Sequence, residues 1–218
     1  MSISDKLTTI AENQQKVFDA GKKKQYDDFW DEFQDYGKRV CYRNAFYGSM
    51  DGTHLYGWND LTYNPKYPIK VTPVYINSLF YYNTAITNTK VEIEINGDGT
   101  VTDVFGRCYK LETIPLLRLI GNHTFSNPFY RCDNLKNITI EGEITGSIDF
   151  QYSPLSKASI VSIIEHLSDT ASSKSLTLKK SAVNTAFGIN VDDESTYPQG
   201  SEYYVLRHSK DNWTFTYA

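Results

Sequence analysis

Long apolar runs, clustered positive charge and paired cysteines are all scarce in this sequence. No apolar run approaches the ~20 residues that a transmembrane helix needs. The net charge is −4 with a pI near 5.6, and no Lys/Arg run is longer than Lys22–Lys24, whereas binding to a nucleic-acid backbone requires clustered cations. The three cysteines are too few for a disulfide scaffold, and their spacing fits no zinc-binding pattern. We therefore expect no membrane span, no direct nucleic-acid partner and no metal.

Motifs that would identify an enzyme are also missing. The sequence has no GxSxG nucleophile elbow, no dinucleotide fingerprint and no glycine loop that would cradle phosphate. None of the four histidines is spaced to form a metal-binding pair on one helix or strand. The N-terminal residues MSISDKLTTI lack the charged and apolar regions of a signal peptide. We expect a non-catalytic protein without a cofactor, which is made and folds in the cytoplasm.

Aromatic side chains are the compositional excess, with 17 Tyr, 11 Phe and 3 Trp. Tyr and Trp are favoured on binding surfaces because they bring a large contact area with few rotatable bonds. The alternative is that these rings fill the core of a flat, sheet-rich fold. Composition alone leaves both interpretations open.

Two ten-residue stretches repeat each other in register. They read FGRCYKLETI at 105–114 and FYRCDNLKNI at 129–138, so that Phe, Arg, Cys, Leu and Ile recur 24 residues apart. A period between 20 and 30 residues indicates a solenoid, in which each repeat is one coil and equivalent side chains stack in columns. We therefore predict that Cys108 lies beside Cys132 in a dry interior, with the Phe and Leu residues of both repeats stacked in the same way.

Weaker copies of the repeat precede and follow these two stretches. FYYNTAITNT begins at Phe80 and places Asn83 in the Cys column, while FQYSPL places Phe150 in the Phe column and Leu155 near the Leu column. The sequence therefore predicts an α+β fold built on a short solenoid of three to four coils over residues 76–155.

The repeat F-x-x-C-x-x-L-x-x-I, followed by NLKNITIEG at 134–142, resembles the leucine-rich repeats of bacterial surface proteins. The resemblance implies a short strand after each Leu and a small, buried Cys. Longer segments, including GWNDLTYNPKYPI at 57–69 and YYVLRHSKDNWTFTYA at the end, resemble leucine-rich-repeat proteins encoded by phages and prophages of Gram-positive gut bacteria. The resemblance implies a phage context and assigns no activity to particular positions.

The segment 1–37 is predicted to be helical and to attach, oligomerise or cap the protein. Leu7, Ile10, Gln14 and Val17 follow the alternating four- and three-residue spacing of a coiled-coil seam. The alternative is a helix that packs on its own domain. A second helix at about 25–36 carries an aromatic stripe, which we expect to cap the first coil.

The segment 38–75 is predicted to be irregular because glycine and proline recur throughout it. A loop of this length inside a compact domain is usually functional or tightly packed. It is rich in aromatic residues, and the predicted contact residues are Tyr47, Tyr56, Trp58, Tyr63 and Tyr67.

Residues 91–104 are predicted to form a β-hairpin inserted between coils. VEIEI alternates strictly between apolar and polar residues, and NGDG supplies Asn-Gly and Asp-Gly turn chemistry before TVTDV.

The segment 156–218 is predicted to be a capping region with no repeats. Ser156 begins a helix that we expect to reach residue 168 and to cover the last coil. We predict a strand at 175–180, a short helix at 181–187, and strands at 203–208 and 213–218 that pair as a terminal hairpin.

These patterns favour a non-catalytic protein- or glycan-binding module of a phage or prophage. We expect it to be associated with the tail or baseplate of the virion, to contact a host surface protein or glycan, and to oligomerise through its N-terminal helix. The alternative is an intracellular phage effector that binds and inhibits a host protein such as a defence nuclease, since acidic proteins can occupy basic grooves made for nucleic acid.

Overall fold

The computed structural model describes residues 9, 11–17, 20, 21 and 68–218. The described residues before 68 are all helical, and both Gln14 and Val17 are exposed there, Val17 to 73%. Their role in oligomerisation stays a prediction. Several predicted features lie outside the described residues: the aromatic helix at 25–36, most of the irregular segment 38–75, and the candidate residues Leu7, Ile10, Tyr47, Tyr56, Trp58, Tyr63 and Tyr67.

Nine strands and four α-helices lie between residues 69 and 217. The strands are β1 Ile69–Val71, β2 Ile93–Asn96, β3 Gly99–Thr102, β4 Thr113–Ile120, β5 His123–Ser126, β6 Asn137–Gly142, β7 Ile148–Phe150, β8 Lys174–Leu178 and β9 Trp213–Tyr217. The helices are α1 Pro73–Ile76, α2 Lys157–Glu165, α3 Lys180–Phe187 and α4 Glu202–His208, with a short 3₁₀ turn at Glu194–Thr196.

All of these strands pair in parallel, and together they form a β-solenoid. One sheet has the order β1-β2-β4-β6, a second pairs β3 with β5, and a third has the order β7-β8-β9. Each coil contributes one strand to the first sheet, so that sheet contains four coils. The solenoid predicted from the 24-residue repeat is therefore confirmed, and it begins before residue 76 because β1 already pairs with β2.

The column of phenylalanines predicted from the repeat is confirmed. The rings of Phe80, Phe105, Phe129 and Phe150 stack with centroid distances of 5.2, 5.6 and 4.5 Å from one coil to the next. None of the four is more than 1% exposed. No single coil could bury its own ring, so the column ties the four coils together.

The two repeated cysteines occupy a second buried column, as predicted. Cys108 and Cys132 are free thiols with no exposed surface. Cys108 Sγ donates to the carbonyl of Phe80, and Cys132 Sγ donates to that of Phe105, each over 3.0 Å. Burial raises the pKa of both thiols. Each cysteine therefore acts as a small buried group that binds the preceding coil, and not as a nucleophile.

The β-hairpin predicted at 91–104 is wrong. β2 and β3 lie where strands were expected, but β2 pairs with β4 and β3 pairs with β5, in both cases with a partner 24 residues away. The Asn-Gly and Asp-Gly turns form a corner between two sheets of one coil. Gly97 N–H donates to the Ile120 carbonyl over 2.8 Å, and Gly99 N–H donates to the Asn122 carbonyl over 3.0 Å, so the corner is bonded to the next coil.

The C-terminal region contains the predicted helices at α2 and α3 and the predicted strands at β8 and β9, with slightly different bounds. Two predictions are wrong. Residues 203–208 belong to helix α4, because Ser201 caps that helix by accepting from Tyr204 N–H and Tyr203 is buried by tertiary packing. β9 does not form a hairpin, because it pairs in parallel with β8.

Helix α2 lies along the free edge of β6. Ser159 Oγ accepts from the N–H of Ile138 over 2.9 Å, and Ser162 Oγ accepts from the N–H of Ile140 over 3.0 Å. Two serine hydroxyls thus occupy the positions at which another strand would bind. Within residues 68–218 and the described helical residues before them, no helix has the length and hydropathy needed to cross a membrane.

Candidate functional site: a tyrosine and arginine face

The corner of each coil that follows the buried phenylalanine turns one side chain outward. Tyr82, Arg107 and Arg131 occupy equivalent positions in three coils, with φ values of 61°, 63° and 57°. A positive φ is unfavourable for residues with a Cβ, by about 1–2 kcal/mol. Hydrogen bonds between coils hold the conformation: the N–H of Tyr82 donates to the Gly106 carbonyl over 2.8 Å, and that of Arg107 donates to the Tyr130 carbonyl over 2.6 Å.

Each of the two arginines lies between tyrosines of the neighbouring coils. The Arg107 guanidinium is 6.0 Å from the centre of the Tyr82 ring and 5.8 Å from that of Tyr130. The Arg131 guanidinium is 5.7 Å from the Tyr109 ring and 5.4 Å from the Tyr152 ring. These distances are typical of cation–π contacts.

Edge-to-face ring contacts join the two groups into one surface. Tyr82 meets Tyr109 at 6.2 Å, and Tyr130 meets Tyr152 at 5.2 Å. We call this surface the Tyr–Arg face and define it by Tyr82, Arg107, Tyr109, Tyr130, Arg131 and Tyr152. It spans four coils. Arg131 is exposed and the other five residues are partly exposed.

The two arginines differ in their partners. Arg131 is bound by Asp133, with Nε to Oδ1 at 3.1 Å and Nη2 to Oδ2 at 3.0 Å, and this hydrogen bonding raises the pKa of Arg131. The side chain of Arg107 makes no hydrogen bond to the part of the chain that the structure describes, and its Nε is buried. Burial raises the pKa of the nearby Asp103 carboxyl, while the Arg107 charge opposes that shift. Arg107 is therefore the arginine of the face that has an unfilled hydrogen-bonding capacity.

Charged groups on the outer surface of the β1-β2-β4-β6 sheet bind one another instead. Lys70 lies 3.3 Å from Glu94, and Arg118 lies 3.0 Å from both Glu92 and Glu141. This charge ladder holds neighbouring strands in register. Its side chains are committed to intramolecular pairs, so it is a weaker candidate for a ligand site than the Tyr–Arg face.

The described histidines have structural surroundings. His123 is 2% exposed, and neither of its ring nitrogens has a hydrogen-bond partner among the described residues. His166 Nδ1 donates to the Ser162 carbonyl over 2.7 Å, and His208 Nδ1 donates to that of Tyr204 over 2.8 Å. Among the described residues, no group of three His, Cys, Asp or Glu side chains is arranged to hold a metal ion.

Sequence reasoning did not identify the Tyr–Arg face. It placed the contact surface between Tyr47 and Tyr67, outside the described residues. The available signal was the recurrence of Arg107 and Arg131 in the repeat, next to aromatic residues that core packing does not require.

Comparison with known proteins does not assign the chain to a family. No protein-family model matches the chain, and comparisons with curated proteins and with solved structures give no match.

Proposed function

We propose that this protein is a non-catalytic binding module and that the Tyr–Arg face contacts its ligand. The observation that supports this most is the alternation of Tyr and Arg across four coils at positions outside the core. Tyr and Arg are enriched among the residues that dominate binding energy, because they combine a large rigid area with directed hydrogen bonds. A solenoid presents such side chains on a rigid surface, so little ordering entropy is lost on binding.

The ligand that best fits the face is a protein or glycan of a host surface that carries an anionic group. Arg107 is already positioned by two tyrosine rings, and no described carboxylate is hydrogen-bonded to it. A carboxylate, sulfate or phosphate of the ligand would accept from its guanidinium, and the four tyrosines would pack against the adjacent apolar or sugar surface.

The test is retention of purified protein on host cells and on an array of acidic and neutral cell-wall glycans. Arg107→Gln with Tyr130→Ala removes the central cation and one of its rings, and we expect at least tenfold weaker retention, since two such contacts contribute about 1–3 kcal/mol together. Lys136→Gln is the matched control, because it removes one positive charge from an exposed residue outside the face. Unchanged retention of the double variant would contradict the proposal.

Protease treatment of the cells separates the two classes of ligand. A protein ligand is lost on treatment, whereas a glycan ligand remains. If wild-type protein is retained neither by cells nor by any glycan, the host-surface proposal fails.

The leucine-rich-repeat identity is part of the same proposal. It is supported by the strands that follow Leu111 and Leu135 and by the buried cysteines, as the repeat motif implies. The association with a phage tail or baseplate is supported by the resemblance of the longer segments. Mass spectrometry of purified virions from the encoding element tests it. Absence from virions, together with specific capture of a host protein from lysate, would favour the intracellular effector instead.

A further inference from the structure

Strand β9 is the outer strand of the β7-β8-β9 sheet, and no strand of the described part of the chain pairs with its other edge. Ala218 N–H donates to the Leu178 carbonyl over 3.1 Å, and the Ala218 carbonyl accepts from Lys180 N–H over 2.8 Å. Backbone groups alternate in direction along a strand, so Thr216 also faces β8. Phe215 and Tyr217 must then direct their N–H and C=O groups away from β8, where no described residue pairs with them.

The sequence does not protect this edge in the ways that usually prevent pairing. Exposed edges are commonly blocked by charged residues, proline, bulges or a covering element. The edge of β6 is blocked in this molecule by Ser159 and Ser162 of α2. β9 reads WTFTY, with no charge, no proline and no break in its register with β8.

The start of β9 is held rigidly. Lys210 Nζ donates to the Leu167 carbonyl over 2.7 Å, and both Asn212 Nδ2 and Trp213 Nε1 donate to the Ser168 carbonyl over 2.9 Å. A strand fixed in an extended conformation loses little entropy when a partner strand is added.

The chemistry of β9 is symmetric about Phe215. The strand alternates aromatic, Thr, aromatic, Thr, aromatic, and this order is the same in both directions. We propose that two copies of the protein pair through antiparallel β9 strands, with Phe215 on the two-fold axis, and form a homodimer.

In this register every position meets its own chemical type. Phe215 lies opposite the second copy's Phe215, and Trp213 lies opposite Tyr217. Thr214 lies opposite Thr216, which extends a row of hydroxyls that begins with the 2.8 Å contact between Thr177 and Thr216. The three strands of each copy then join into one continuous sheet. The assembly stops at two copies because each copy uses its β9 edge once.

Charge substitutions on the exposed threonines test both the surface and the register. Thr214→Lys with Thr216→Lys places like charges opposite each other across the two-fold axis, twice per dimer. Thr214→Lys with Thr216→Glu places opposite charges there instead. Both double variants lose the same contact to Thr177, so the loss of that intramolecular contact is matched between them.

Sedimentation velocity of the full chain across a concentration series measures the outcome. We expect wild type to show a concentration-dependent monomer–dimer equilibrium. The dissociation constant of the Lys/Lys variant should be at least tenfold higher than that of wild type, and that of the Lys/Glu variant should be no higher than that of wild type. Circular dichroism checks that both variants are folded. A wild-type protein that stays monomeric up to millimolar concentration overturns the proposal. So does a dimer that both variants leave unchanged, since it would then use another surface such as the N-terminal helix.

Discussion

Replacing Phe129 by alanine is a direct test of the ring column, because Phe129 is stacked between Phe105 and Phe150 and is only 1% exposed. The substitution removes a fully buried ring and leaves a cavity between Phe105 and Phe150. A hydrogen–deuterium exchange experiment should show faster exchange in both neighbouring coils, since each coil of a solenoid is stabilised by those on either side.

The magnitude follows from the contacts. Burial of a Phe side chain contributes about 1.5–3 kcal/mol, and each of the two ring contacts adds about 0.5–1.5 kcal/mol. The expected loss is about 4 kcal/mol, within the range of about 3–5 kcal/mol for Phe→Ala in protein cores. With a urea m-value of about 2 kcal/mol per molar, the unfolding midpoint falls by about 2 M.

Urea unfolding followed by circular dichroism measures this loss, with Phe125→Ala as the matched control. Phe125 carries the same side chain, but it is only partly buried and lies outside the column, so we expect its loss to be about 1–2 kcal/mol. If Phe129→Ala destabilises the protein no more than Phe125→Ala, the column does not hold the coils together.

Three further predictions concern backbone geometry, thiol burial and pH. Gly142→Ala should destabilise the protein by at least about 3 kcal/mol in urea unfolding, because φ is 86° and the new Cβ would lie 1.9 Å from a carbonyl oxygen of β4. Gly188→Ala should destabilise the protein by only about 1 kcal/mol, because φ is 66° but the new Cβ would lie in open space, with nothing within 4 Å. Equal losses of unfolding free energy for the two substitutions would refute the close contact at Gly142. Cys108 and Cys132 should react with a thiol reagent, in peptide mapping, only after unfolding, and rapid labelling of the native protein would contradict their burial. Burial lowers the pKa of His123 below 6.5, so the unfolded chain takes up a proton that the native protein resists, and the free energy of unfolding should decrease as pH falls through and below 6.5. His123→Leu should flatten that dependence between about pH 7.5 and pH 5, and an unchanged slope would assign it to other groups.

The buried columns were predictable because a solenoid gives equivalent residues nearly the same surroundings. Phe105 and Phe129 are identical for that reason, and Phe80 and Phe150 remain recognisable although the rest of their coils has diverged. Side chains that stack from coil to coil recur at a fixed interval in the sequence, and that interval gives the register between the paired strands.

Turn chemistry was misleading because it reports only the local path of the chain. The chain does bend at Gly97, where φ is 105°, directly after Asn96 ends β2. Whether the two flanking strands then pair with each other depends on competing partners, and the strands of the adjacent coil occupy those positions here. The 24-residue interval between Ile93 and Leu117 was the better guide to the pairing.

Helix α4 was predicted as a strand because Tyr203, Tyr204 and Val205 all have high strand propensity. Its helical state depends on burial of the Tyr203 ring, which is 1% exposed, and on the cap from Ser201. In so short an element, tertiary packing overrides strand propensity. The sequence alone does not show which residues will pack against it.

The Tyr–Arg face was missed for a geometric reason. Of the two tyrosines that contact Arg107, Tyr82 lies in its column, but Tyr130 lies one position before the equivalent residue, Arg131, in the following coil. Alignment of the repeat shows columns, but contacts between adjacent columns depend on how successive coils are offset. That offset becomes visible only with coordinates.

The two serine hydroxyls that receive the N–H groups of β6 also limit how large an assembly this chain can form. A strand that added there would have to displace helix α2, so stacking of molecules end upon end is blocked on that side. Parallel sheets that lack such a stopper tend to grow into fibres when they are concentrated. The β6 edge should therefore not start fibre growth, even when the protein is concentrated.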